Sequence, residues 1–243
     1  MAITARMVTY NDQETALTGV LAWDAAAPRP LPGLLLVHGG AGLDEHARGQ
    51  ARRYAAHGYA VLACDMFGDG VAGDRERVMA CLMRLRDDPQ RLSQRAQAGL
   101  AALAACPEAD GRFAAVGFCF GGLAVLTLAR SGASLRGVVS IHGSLATAKP
   151  AEPDTMTARV LVCHGALDPH VPMADVTRFA EEMTSAGADW QLIKYGGAVH
   201  GFTHAHAVPG AVPGVAYDAA ADQRSFLAAR TFLAEVMQPG AAP

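Results

Sequence analysis

Short, continuously apolar runs alternate along this chain with segments whose apolar residues recur every three or four positions. Runs at 34–37, 60–63, 113–116, 137–141 and 160–163 are almost continuously apolar, with Ser140 the one polar side chain among them, the pattern of strands covered on both faces of a parallel sheet. A sixth run, 190–195, is more polar and is predicted nearer the sheet edge. Residues 18–24 have strand character and follow the turn signal Asn11-Asp12, which predicts an opening antiparallel ribbon closed by Pro28, Pro30 and Pro32.

The periodic segments fall between these runs. Residues 47–57 form one, ending at Gly58. Met173, Val176, Phe179, Ala180 and Met183 form another, ending at Gly187. Phe226, Ala229, Phe232, Leu233 and Val236 mark a last amphipathic helix before a Pro/Gly/Ala tail, 238–243, expected to fray. Strand and helix therefore alternate. The fold class expected is α/β, a mostly parallel, doubly wound sheet with helices on both faces, built from one domain over residues 1–243.

In such a sheet ligands bind beyond the carboxyl ends of the strands, and this singles out His38-Gly39-Gly40, Asp65, Cys119, His142 and Asp168. The sharpest local signal is Gly117-Phe118-Cys119-Phe120-Gly121-Gly122. Glycines two before and two after the central residue suit a strand-to-helix turn too tight for a Cβ, the form of a nucleophile elbow with a thiol in place of a hydroxyl. At a helix N-terminus Cys119 would feel the positive end of the backbone dipole, which favours thiolate. Glycine-rich turns of this kind also serve phosphate binding and plain packing.

Cys119, Asp168 and His200 follow one another in the nucleophile, acid, base order of α/β-hydrolases. Asp168 lies in a loop after a buried run, where a carboxylate can fix one imidazole tautomer; a turn or N-cap aspartate is the plainer reading. His200 lies in a glycine-rich loop able to bring its ring over the thiol. Small residues at 38–42 let backbone N–H groups converge on a developing oxyanion, with Gly40 and Phe120 the expected donors. His38 reads as structural and Asp65 as a turn former. His200, His204 and His206, with His164 or His170, could instead ligate zinc, but spaced motifs such as H-x-E-x-x-H are missing, so neither metal nor cofactor is expected.

Composition narrows the partner. With 51% hydrophobic and 18% charged residues in 243, the chain can bury a large core, and a formal charge of -3 leaves no footprint for nucleic acid or an anionic membrane. A small-molecule partner is expected. Five cysteines without a CxxC pair fit a reducing compartment, with Cys64, Cys81, Cys106 and Cys163 as apolar fillers. No apolar stretch resembles a secretory signal or reaches bilayer length, so the expected location is the cytoplasm.

Across nearly its whole length the sequence resembles the dienelactone hydrolase family. The resemblance rests on residues 38–43, 58–60, 65–70 and 117–122, on His164-Gly165 with Asp168, on His200-Gly201-Phe202 and on Tyr217-Asp218. It implies an α/β-hydrolase fold, Cys119 as nucleophile, His200 as base, Asp168 as orienter, and hydrolysis of an ester or lactone through a thioester. Two positions depart from the family. Gly39 aligns with a glutamate that switches the cysteine to thiolate, so His200 would have to act directly. His204 aligns with a substrate-binding arginine. The alternatives are a broad carboxylesterase or thioesterase, and a thiol sensor or binding protein on the same fold.

Overall fold

The computed structural model describes residues 2–68, 71, 73–208 and 210–238. Asp69 and Gly70, which close the 65–70 motif, and 239–243 of the expected frayed tail lie outside the described residues.

Strands β1 (Ile3–Asp12) and β2 (Thr15–Asp24) form the opening ribbon, paired antiparallel in register from Ile3 with Asp24 to Asp12 with Thr15. They are followed by β3 (Leu31–Val37), α1 (Glu45–Ala55), β4 (Ala60–Cys64), α2 (Arg75–Arg86), α3 (Pro89–Ala104), β5 (Ala109–Phe118) and α4 (Phe120–Arg130). The chain continues through β6 (Gly137–Ile141), β7 (Arg159–Gly165), α5 (Met173–Ser185), β8 (Trp190–Tyr195) and α6 (Ala219–Val236). The sheet order is β1-β2-β4-β3-β5-β6-β7-β8, with β2 antiparallel to β4 and every later pairing parallel. The polar run 190–195 is indeed an edge strand. Pro32, expected before the strand, lies inside β3, and the register shifts between Leu31 and Gly33 around this residue, which has no N–H to give the ladder.

The apolar runs are continuous because alternate side chains enter two cores. Leu34 and Leu36 of β3, Val116 of β5, Ile141 of β6 and Leu161 of β7 pack with Tyr54 of α1 and Phe226 and Leu233 of α6. Leu35, Ala115, Val138 and Val160 face the other way, onto Leu103 of α3, Leu126 of α4 and Phe179 of α5. Stacking both faces of these central stretches against helices removes them from water, so neither face needs polar residues. The carboxyl ends of β3, β5, β6 and β7 consequently open together, and the residues that follow them meet there.

Candidate active site

Cys119 occupies the turn between β5 and α4 with φ 52° and ψ -114°, a conformation that side chains with a Cβ rarely adopt. The crowding around it explains the glycines. A Cβ on Gly117 would lie 2.0 Å from the Gly121 carbonyl oxygen, and one on Gly121 would lie 2.1 Å from the Val37 oxygen. Helix α4 can therefore start directly against β3 and β5, with the sulfur turned outward at its N-terminus. Cys119 is partly buried, whereas Cys64, Cys106 and Cys163 are buried.

The three side chains predicted to act together do meet. His200 Nε2 lies 3.1 Å from Cys119 Sγ, and His200 Nδ1 lies 2.8 Å from Asp168 Oδ2. The second Asp168 oxygen accepts the backbone N–H of His170 at 2.8 Å, which steadies the carboxylate from its own loop. His200 is held by its backbone as well: its N–H donates to Gly214 O and its carbonyl accepts from Ala216 N–H. Asp168 follows β7, and His200 follows β8.

Charge is distributed accordingly. Burial pushes the Cys119 thiol up, but the His200 hydrogen bond and charge, together with the N–H groups of Gly40 and Phe120 directed at the sulfur, hold it below its ordinary value. Burial works against a charged His200 ring, yet Asp168 and Cys119 together raise it to about 10. Asp168 is lowered because the His200 and His170 hydrogen bonds outweigh its burial. The shifts of all three groups favour the charged forms, thiolate, imidazolium and carboxylate, and the trio titrates as a unit.

Gly40 and Phe120, the two expected donors, both direct their backbone N–H at the Cys119 sulfur. His204 flanks the site but not as a cation. Its Nε2 lies 3.9 Å from where a Gly39 Cβ would be, its ring stacks on His46 at 3.8 Å, and burial, with the charge of His200, lowers its pKa. His206 is exposed. Among the described residues no group of three or more His, Cys, Asp or Glu side chains is arranged to hold a metal ion.

A buried polar chain behind the sulfur has no obvious sequence signature. The Cys119 N–H donates to Ile141 O at 3.1 Å and to His142 Nδ1 at 3.2 Å. His142 Nδ1 therefore carries no proton, and its Nε2–H donates to Thr203 Oγ1 at 2.9 Å. The Thr203 hydroxyl is then free to donate to His46 Nε2 at 3.0 Å. Burial, the largest influence, with the neighbouring His200, His204 and His46, keeps His142 well below its ordinary pKa, and burial lowers His46 to about 4. The chain is neutral, and it anchors the strained Cys119 backbone. His142 was singled out by its position after β6; His46 and Thr203 were not.

A cleft of about 410 Å³, lined by Leu92, Leu123, Thr127, Ser144 and His170 among others, reaches the site only through His170; Cys119, Asp168 and His200 do not line it. The His170 ring lies 5.1 Å from that of His200. A larger groove, about 520 Å³, is lined by His57, Tyr59 and Arg230 at the amino ends of the strands and is remote from Cys119. Among the described residues no helix is long and apolar enough to cross a membrane.

Comparison with known proteins agrees with this architecture. A solved dienelactone hydrolase-like promiscuous phosphotriesterase from metagenomic libraries is 39% identical, with a TM-score of 0.92 over 98% of this chain and all of that one. A dienelactone hydrolase from Anabaena variabilis shares the fold, at TM-score 0.73 and 20% identity over 98% of this chain and all of that one. An uncharacterised protein of Caenorhabditis elegans is 37% identical over 148 residues, 60% of this chain and 94% of its own. The profile of the Dienelactone hydrolase family matches residues 17–237, and the chain, an α/β-hydrolase, belongs to that family.

Proposed function

We propose that this hydrolase cleaves small carboxylic esters or lactones with Cys119 as nucleophile, His200 as acid and base, and Asp168 as the residue that orients the ring. The observation that carries the reading is the unbroken contact from sulfur to imidazole to carboxylate, 3.1 Å and then 2.8 Å. The Cys119 thiolate adds to the acyl carbon, and the carbonyl electron pair moves to oxygen, where the Gly40 and Phe120 N–H groups receive it. Collapse expels the alkoxide, which takes the proton from His200 Nε2 and leaves a thioester. Neutral His200 then removes a proton from water, whose oxygen attacks the thioester; the acid departs and the thiolate and imidazolium are restored.

A thiolate leaves more readily than an amine, so an amide adduct reverts and activated esters and enol lactones are the favoured substrates. Gly39 offers no acidic side chain, which leaves activation of the thiol to His200. The test is intact mass after a brief exposure to an activated ester. A transient acyl adduct lost in Cys119→Ala supports the reading. Turnover that survives in Cys119→Ala refutes it, and peroxide oxidation of the sulfur without acylation or turnover assigns a sensor instead.

A second reading concerns phosphotriesters and is favoured by the 39% identical dienelactone hydrolase-like promiscuous phosphotriesterase. The same thiolate and N–H pair would meet phosphorus and its oxygen, with an aryloxide leaving on the His200 proton. An aryl phosphotriester therefore belongs beside aryl esters and lactones in the substrate panel.

A further inference from the structure

The Gly40 N–H, one of the two donors proposed to receive the oxyanion, belongs to a peptide unit flanked by glycine on both sides. Glycine imposes little backbone restriction, so such a unit can rotate and carry its N–H away from the sulfur unless something outside it holds it. In a trans peptide the C=O and N–H of one unit point in opposite directions. Fixing the Gly39 oxygen therefore fixes the aim of the Gly40 hydrogen.

His38 grips that oxygen. Its side chain is fully buried. The Met66 N–H donates to His38 Nε2 at 3.1 Å, so Nε2 is the lone-pair nitrogen and the proton resides on Nδ1. Nδ1–H then donates to Gly39 O at 2.7 Å. A weaker second hold comes from the Gly42 N–H at 3.2 Å to the same oxygen. The ring is wedged edge-on against Phe67 at 4.7 Å and lies 6.4 Å from Phe120. Burial lowers the His38 pKa, against the opposing pull of the Gly39 hydrogen bond and of Asp65 and Asp44, so the ring stays neutral and keeps this one tautomer.

We propose that His38 is a positioning residue for the hydrolysis reaction: its Nδ1–H clamps the Gly39 carbonyl and so aims the Gly40 N–H at the oxyanion. The inference rests on the Cys119 reading above. It extends that reading to a residue that touches neither substrate nor sulfur.

Two substitutions separate this role from a merely structural one. The amide nitrogen of His38→Asn falls near the Nδ1 position and can still donate to Gly39 O. The amide of His38→Gln reaches the Nε2 position, serving Met66 and releasing Gly39. Aryl-ester turnover and iodoacetamide alkylation of Cys119 are measured on both, because alkylation uses the thiolate without developing an oxyanion. The expected result is kcat within a few-fold of wild type for His38→Asn. For His38→Gln, kcat falls about tenfold to a hundredfold at little-changed KM, with alkylation preserved. Equal kcat in the two variants, or a greater loss in His38→Asn, overturns the role. Should neither variant fold, nitrogen-15 NMR of the wild-type imidazole decides: an Nδ1–H tautomer supports the clamp and an Nε2–H tautomer overturns it. Ester turnover persisting in Cys119→Ala would sink the nucleophile assignment itself, an outcome the His38 measurements do not mimic.

Discussion

A methyl group at position 121 would sit 2.1 Å from the Val37 oxygen and 2.6 Å from both the Val37 carbonyl carbon and the His38 oxygen. Ordinary contact begins near 3.4 Å, so the overlap exceeds an ångström, and every atom in the way is backbone. No rotamer can relieve it. Helix α4 would have to withdraw from β3, loosening Leu123, Ala124 and Val125 from the core they share. Overpacking that flexible side chains can absorb costs about 1–3 kcal/mol, and a collision with a central strand belongs at or above the top of that range, about 3 kcal/mol. At roughly 2–4 °C per kcal/mol for a chain of this size, Gly121→Ala should melt about 6–12 °C lower. Gly49, inside α1, meets nothing within 4 Å. Gly49→Ala should gain about 0.8–1 kcal/mol of helix propensity and melt roughly 2–4 °C higher. Thermal melts followed by circular dichroism, with urea midpoints as a check, measure both. Wild-type melting of Gly121→Ala would refute the crowding argument. An equal fall in both variants would show that the loss does not come from the elbow.

Alkylation of Cys119 should stay fast well below the ordinary thiol value of 9.0 and decline only as pH drops through the lowered pKa. In His200→Ala the rate at neutral pH should fall tenfold or more, because only the Gly40 and Phe120 N–H groups then oppose burial; unchanged profiles in the two proteins would dissolve the ion pair. The raised His200 pKa makes its contribution to stability complete below about 6.5 and lost as pH climbs through about 10, so pH-dependent urea midpoints should decline on the alkaline side. Asp168→Asn should lower turnover by about 10²–10⁴, less than loss of the nucleophile, and single-turnover acylation kinetics will rank the two. Arg95 lies 2.5 Å from buried Asp12 and donates to Met66 O at 2.7 Å. Arg95→Ala strands that carboxylate and should cost about 3–5 kcal/mol in urea unfolding; a loss under 1 kcal/mol would mean water reaches Asp12.

Much of the sheet was legible because β3, β4, β6 and β7 are sealed on both faces, which leaves apolar runs with little polar interruption beyond Ser140 in β6. Helices α2 and α3 were not assigned. Among its twelve residues α2 buries only Val78 and Leu85, so its periodicity is faint, and Met79 and Met83 are exposed. The start of α3 did carry a signal, Asp88 capping the Arg91 N–H with Pro89 in the first turn. At the site, Cys119, Asp168 and His200 announced themselves through order and glycine context. The contacts from His142 to Thr203, 61 residues apart, and from Thr203 to His46, 157 residues apart, depend on two loops and the first turn of α1 meeting in space. No local pattern encodes such a meeting. His38 looked structural from its place after β3; only the donor on its ring connects it to the proposed chemistry.

Under the proposed mechanism, the backbone ties of His200 to Gly214 and Ala216 make the chain around them part of the machinery for proton transfer. A library that randomises 205–213 to reshape substrate entry would also be sampling how firmly the imidazole is braced. Grafts there should conserve the spacing to Gly214, or selection for new specificity will recover slow enzymes whose mouths fit and whose proton relays have drifted.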